Sequence, residues 1–562
     1  MKISLLFPNR DLDFKKLSDE TIHDLGMDAI IKQLTRTESE QTYIRNVMSL
    51  LSDDAENASF RGDVFDDIYR NPGMRTELMK LLDRVNFLRD YGSYKHDHDH
   101  DPGVWDLMHR LDEINDYISC IDAVYNCLKG ADISSAGLIS LRDYVETLYN
   151  DNGFGELKSD IADLRADTGN LKSVTVGINL NERFEACGIG IISINNKPFT
   201  KASLVGRFID KVSGKDQLHD GTEWDGDYRF DEFTAKNPYS SGKGLPILPL
   251  SPIALMGIRA ISEADNQGRS ITNYMDDITD RLLRQTVRHL RDVLNKYTTL
   301  TITDITDLMP EFIYYIRWVD YIGRQTGRGF SFAKSAPAAN GISADMRGIY
   351  NLKLLDNEKA ESSDIVANDL DFSDEHCLYI LTGANRGGKT TITQAVGQAF
   401  LMAQGGIYVP GASFSFTPVD AIYTHFPADE DKTLDLGRLG EECKRFREIY
   451  EKATEKSLIL LNETFSTTSF EEGYYIAKDC EKAILEKGVR TIYNTHMHKL
   501  AAEVDELNAV SLGRRAASLV MRTGENGERS YHVEVAPPEG MSYANDIAKK
   551  YGVTYGMLTN KE

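Results

Sequence analysis

The stretch Tyr379-Ile380-Leu381-Thr382-Gly383-Ala384-Asn385-Arg386-Gly387-Gly388-Lys389-Thr390-Thr391 constrains the fold of this chain most tightly. Gly383, Gly388, Lys389 and Thr390 stand at the spacing of the phosphate-loop (P-loop) pattern. An apolar run precedes the loop, and a helix-compatible segment follows from Thr391 to about Gln404. In that strand–loop–helix setting the glycines let backbone N–H groups turn toward phosphate oxygens, and the helix N-terminus adds partial positive charge. The candidate nucleotide-binding set is Gly383, Ala384, Asn385, Arg386, Gly387, Gly388, Lys389, Thr390 and Thr391. Lys389 is placed to reach the β- and γ-phosphates, and Thr390 to ligate Mg²⁺. A glycine-rich turn before an ordinary helix is the plainer alternative.

Downstream, Ser457-Leu458-Ile459-Leu460-Leu461-Asn462-Glu463 is an apolar run ending in two polar residues, a Walker B layout. A buried strand of this kind delivers its last residues to the carboxyl edge of an open sheet, where ligands bind. Glu463 is the candidate to polarise an attacking water. Asn462 fills the position where such sites usually place Asp; its amide can hold a Mg²⁺-bound water but brings no negative charge. The next strand, Val489 to Thr495, delivers His496, a candidate to sense the γ-phosphate or orient water. The candidate catalytic residues are thus Lys389, Glu463 and His496, and the candidate metal ligands Thr390 and Asn462.

At 562 residues the chain has room for several domains, and 41% hydrophobic with 27% charged residues describes a globular protein. A net charge of −23 argues against a uniformly basic nucleic-acid-coating protein. Cys120, Cys127, Cys187, Cys377, Cys443 and Cys480 form no C-x-x-C pair, which fits reduced thiols and a cytoplasmic location. The apolar patch near Met1 is too short for a signal sequence, and no run approaches membrane-spanning length.

Texture divides the chain. Apolar residues at three- and four-residue steps, such as Leu107, Leu111 and Ile114, predict helices from about 12 to 150. Residues 174–180 and 188–194 predict paired strands, and 209–246 a long loop or small β insertion. Helical texture returns from 252 to 332, and the small-residue segment Ser335 to Ile342 reads as a linker. From 346 onward, β runs alternate with helical patterns, as in an α/β domain with a mostly parallel sheet. Three further features have plain and functional readings. The His96-Asp97-His98-Asp99-His100-Asp101 tract is a solvated acidic loop or a metal site. The stripe Arg281, Arg284, Arg288 and Arg291 is a solvated helix face or a phosphate-backbone track. Trp224, Tyr228, Phe230 and Phe233 anchor a small β module or stack on bases.

Taken in order, these motifs resemble the MutS-type ATPases, within the wider ABC/SMC-like class. The resemblance is carried by Leu381 to Thr391, then Gly406-Ile407-Tyr408-Val409-Pro410 and Pro418 to Thr424. Asn462-Glu463, Asn494-Thr495-His496 and Gly540-Met541-Ser542-Tyr543-Ala544 continue it. It implies a multidomain α plus α/β protein: a long-helix core and lever region with a β-rich clamp-like insertion, then a P-loop ATPase domain. The corresponding divisions are a helical core at 1–170, a clamp-like insertion at 171–250, lever helices and linker at 251–345, and the ATPase domain at 346–562.

The resemblance further implies ATP and Mg²⁺ as cofactors and a homodimer through the ATPase domains. In such dimers each nucleotide is completed by a signature segment of the partner. By position that segment is Leu434-Asp435-Leu436-Gly437-Arg438-Leu439-Gly440, where the family's Ser or Thr has no clear counterpart. The implied activity is a nucleotide-driven clamp on DNA, branched or duplex, in repair or recombination. The mismatch-reading Phe-x-Glu element is not matched, because Phe184-Glu185 is followed by Ala186, so direct mismatch reading is not expected. A nucleotide-gated protein-assembly ATPase that does not bind DNA directly is the competing reading.

Overall fold

The computed structural model describes residues 3–8, 12–80, 104–168, 173–180, 182–183, 186–195, 200–201, 229–230, 284–296, 308–357, 360–384, 387–427, 437–511, 513–523, 529–538, 549 and 551–559. The chain forms two compact units. One comprises Met1–Leu88, Ala123–Glu146 and Asp304–Glu562; the other comprises Arg89–Asp122 and Thr147–Thr303.

The first unit is organised by a six-stranded sheet. Its spatial order is Ile422–His425, Leu458–Asn462, Arg490–Asn494, Leu378–Thr382, Ala516–Thr523 and Arg529–Val535. The first five strands are parallel, and the sixth returns antiparallel. Leu378–Thr382, Leu458–Asn462 and Arg490–Asn494 are buried at every position. That explains why Leu378–Thr382 and Leu458–Asn462 read as near-continuous apolar runs rather than alternating ones: both faces of a parallel sheet are covered.

Side-chain alternation assigns the faces. Ile459 and Leu461 pack with Phe446 and Ile449 of helix Gly437–Lys452 and with Tyr474 and Ala477 of helix Phe470–Lys487. Leu460 meets helix Lys389–Gln404 instead. A Cβ on Gly397 of that helix would lie 2.8 Å from Leu460 Cδ1, so the missing side chain lets helix and strand approach.

A four-stranded sheet, ordered Asn368–Phe372, Ala344–Ile349, Ser413–Phe416 and Ser335–Pro337, belongs to the same unit. Here the structure corrects the linker reading of 335–342. Ser335–Pro337 pairs in parallel with Ser413–Phe416 as an edge strand, a position where proline's missing N–H costs no ladder bond.

The beginning of the chain is built into this unit. Leu5 and Leu6 are buried, and their N–H groups donate to Glu311 on the buried helix Met309–Gly327. Gln394 and Gln398, on the helix after the glycine-rich loop, donate to Asp24 O at 2.6 Å and Leu25 O at 2.8 Å.

The second unit contains helix Asn152–Thr168, helix Arg284–Asn295 and the antiparallel strands Ser173–Leu180 and Ala186–Asn195. Lys296 donates to Asp160 at 3.1 Å, tying its two helices. Of the arginine stripe, Arg288 is exposed, Arg291 is half-buried, and Arg281 lies outside the described residues. Also outside are the 96–101 tract, Trp224, Tyr228, Phe233 and the segment 540–544. Among the described residues no helix is long and apolar enough to cross a membrane.

Candidate functional site

The glycine-rich loop joins strand Leu378–Thr382 to helix Lys389–Gln404. Gly383 has φ 139° and Gly388 φ 100°, backbone conformations that L side chains rarely adopt. Gly383 is doubly constrained, because a Cβ there would lie 2.7 Å from Met521 Cβ on the neighbouring strand. Gly388 caps the helix with no side-chain hydrogen bond, so the N–H groups of the first turn keep no side-chain partner at the cap. Asn385 and Arg386 lie outside the described residues. Lys389 folds back over the loop: its Nζ donates to Gly383 O at 3.1 Å and Ala384 O at 3.3 Å. Burial pulls its pKa below the ordinary lysine value, and the nearby Glu463 carboxylate opposes that shift.

The ends of the two adjacent strands meet the start of this helix. Thr390 Oγ1 donates to Asn462 Oδ1 at 3.1 Å. Asn494 Nδ2 donates to the same Asn462 oxygen and lies 3.4 Å from Thr390 Oγ1. Thr390, Asn462 and Asn494 therefore form one cluster, which joins the two candidate metal ligands to a third residue.

Glu463 follows Asn462 with φ 53°, a left-handed turn held by its N–H donating to Asn494 O at 2.8 Å. The turn brings its carboxylate to His496, with Oε1 2.7 Å from Nε2. This hydrogen bond is the largest cause holding the Glu463 carboxyl below the usual carboxylate range; burial opposes it, and Lys389 assists. The neighbouring His498 is held below the ordinary histidine value by burial first, then by His496 and Lys389.

Lys389, Thr390 and Glu463 border a cleft of about 680 Å³. One wall is the loop and first helical turn, Gly387 to Ile392, with Glu463; the other includes Tyr350, Asn351, Val366, Asn368 and Tyr531. Two of these wall residues act directly on the loop and the first helical turn. Asn351 donates to Thr391 O at 2.9 Å and to Gln394 Oε1 at 3.1 Å, bracing the first helical turn. Tyr531 has φ 57°, and Asn368 clamps the backbone around it, donating to Tyr531 O at 3.1 Å and accepting from Val533 N at 2.8 Å. Its ring lies against the loop, since a Cβ on Gly388 would sit 3.3 Å from Tyr531 Cδ1. No local motif marks either residue. Of the signature-like segment, Leu434, Asp435 and Leu436 lie outside the described residues, and Gly437, with φ 70°, opens an exposed helical start.

Residues 379–555 match the family profile described as MutS domain V. The C-terminal region thus carries a MutS domain V. Its relatives include the DNA mismatch repair protein MutS of Thermosipho melanesiensis, 34% identical over 197 residues, which cover 35% of this chain and 24% of that protein. The endonuclease MutS2 of Thermus thermophilus is 29% identical over 200 residues, covering 35% of this chain and 26% of that protein. The chain thus spans about a quarter of the length of these relatives. The MutS domain V match takes in Gly383 to Thr391, Asn462, Glu463, Asn494, His496 and Tyr531, while Asn351 lies before it.

Proposed function

We propose that this protein binds and hydrolyses ATP as a DNA-associated member of the MutS family, closing as a homodimer through its nucleotide domains. The observation that carries the reading is one cleft lined by Lys389, Thr390 and Glu463 within a MutS domain V, with Asn462 bonded to Thr390 and His496 to Glu463.

The loop amides and the helix N-terminus receive the phosphates. Lys389 exchanges its bonds to Gly383 O and Ala384 O for β- and γ-phosphate oxygens. Thr390 Oγ1 and the Asn462 amide oxygen are hard oxygen donors 3.1 Å apart, and they fit Mg²⁺ in kind although neither carries charge. Held by Thr390 and Asn462, Mg²⁺ would supply neutralisation of phosphate charge. The Tyr531 ring offers an apolar face for the base at the cleft wall. Glu463 takes the proton of the attacking water while its oxygen bonds to the γ-phosphorus and the bond to the leaving ADP oxygen breaks. His496 holds the carboxylate in place for that step.

Domain closure works as a switch only if ATP binds the closed state more tightly than the open one. The DNA assignment is supported by the relatives' names, DNA mismatch repair protein and endonuclease. Branched or duplex DNA is the substrate class. The net charge of −23 favours a second reading, in which the closing dimer grips a protein rather than DNA. ATPase rates with and without branched DNA, at low and moderate salt, separate the two. Stimulation that fades as salt rises supports DNA; intact turnover with no binding to any DNA form overturns it.

A further inference from the structure

The cluster beneath the proposed phosphate site contains two asparagines and no carboxylate. Asn462 and Asn494 are directly paired in the register of adjacent parallel strands, at the carboxyl ends of both. Asn494 is fully buried and Asn462 is 8% exposed. Asn494 Nδ2 donates to Asn462 Oδ1, which also accepts from Thr390 Oγ1. Asn494 Oδ1 is itself buried with no hydrogen-bond partner among the described residues. An orphaned amide oxygen inside a core is a cost that a bound donor relieves, and such atoms concentrate where something is to be held.

A carboxylate at position 462 would act on a nucleotide in two ways. It would attract the metal complex, and it would repel the bare polyphosphate. Two neutral amides offer the metal oxygen dipoles without charge, so they attract the complex less, and they do not repel the bare polyphosphate. Glu463, the residue after Asn462, is engaged with His496. We infer that Asn494 is a positioning residue of this site, and that the Asn462–Asn494 amide pair lets it hold nucleotide with little dependence on a divalent cation. The inference rests on the ATP reading above. Binding and hydrolysis then differ in their cation requirement: the first proceeds without the metal, and the second still needs charge on the γ-phosphate neutralised.

The pair is also symmetric in a way that gives a test. A carboxylate placed on either strand can accept from the amide left on the other, because an asparagine side chain presents its nitrogen or its oxygen by turning over. The experiment is a titration of the full chain with a fluorescent ATP analogue, in Mg²⁺ and in EDTA. The unmodified protein should show dissociation constants within about threefold of each other. Asn462→Asp should open that ratio to about tenfold or more, by weakening binding in EDTA. Asn494→Asp should do the same, with Asn462 turned to donate to the new carboxylate. If Asn494 served only the packing of the sheet, Asn494→Asp would alter affinity or melting temperature and leave the ratio unchanged, which overturns the positioning role.

Should Asn494→Asp fail to fold, Asn494→Ala in the Asn462→Asp background carries the same question. Losing the donor that holds the carboxylate should shrink the ratio about threefold, and an unchanged ratio overturns the role. A tenfold ratio in the unmodified protein overturns the neutral-site inference while leaving nucleotide binding intact. Absence of binding in both buffers overturns the ATP reading, and the inference with it.

Discussion

Replacing Gly383 by alanine should damage this protein more than any other glycine-to-alanine change in the loop, and the structure gives the size. At φ 139° an alanine sits in a region tolerated almost only by glycine, a strain of about 1–3 kcal/mol. The new Cβ would also lie 2.7 Å from Met521 Cβ and 3.2 Å from Met521 O, on the adjacent strand of the sheet. Those atoms cannot swing aside as a side-chain tip would, and overpacking of this kind costs about 1–3 kcal/mol. The combined effect is about 2–5 kcal/mol, allowing for partial relaxation. In a unit this large that corresponds to a fall in melting temperature of at least about 3 °C. Thermal unfolding followed by circular dichroism reads it. A companion variant sharpens the test: Met521→Ala should not rescue Gly383→Ala, because alanine keeps the offending Cβ. A change below about 1 °C, or rescue by Met521→Ala, would refute the reasoning.

The other expectations follow from the same geometry. Gly323→Ala lies within helix Met309–Gly327 with nothing within 4 Å of the new Cβ; it should stabilise by about 0.5–1 kcal/mol, and a lowered unfolding midpoint contradicts this. His496→Ala removes the largest cause holding the Glu463 carboxyl down, leaving burial to push it up against Lys389. Turnover should fall about 100-fold with binding retained, and its acid limb should move to higher pH, because the ionised base is now lost sooner as pH falls; an unshifted pH profile counts against the pairing. Tyr531→Ala should weaken binding of the ATP analogue about tenfold by removing the ring from the cleft wall; an unchanged dissociation constant would show that the base lies elsewhere.

The parts legible in the sequence are those whose cause is local. The loop's glycines and the apolar runs of Leu378–Thr382 and Leu458–Asn462 announce themselves within a few residues. The helix after the loop begins at Lys389, two residues before the periodicity suggested, because Gly388 ends the loop with a left-handed turn. What escaped is set by strand order. Tyr531 reaches Gly388 only because Ala516–Thr523 lies beside the loop strand and Arg529–Val535 folds back onto it. Asn494 stands in a motif of the family resemblance, but its pairing with Asn462 follows only from the register of the two strands. Asn351 braces Thr391 from a segment that carries no motif. Ser335–Pro337 reads as a linker because its partner, Ser413–Phe416, lies far along the chain.

Titration of the full chain and of Lys389→Ala with a fluorescent ATP analogue tests the central claim most directly. Lys389 is buried at the loop, with its ammonium group bonded to loop carbonyls that phosphate oxygens would replace. Saturable binding by the unmodified protein and a loss of about 100-fold in the variant, a cost of roughly 2.7 kcal/mol, is the predicted result. Equal affinity in the two proteins would contradict the account.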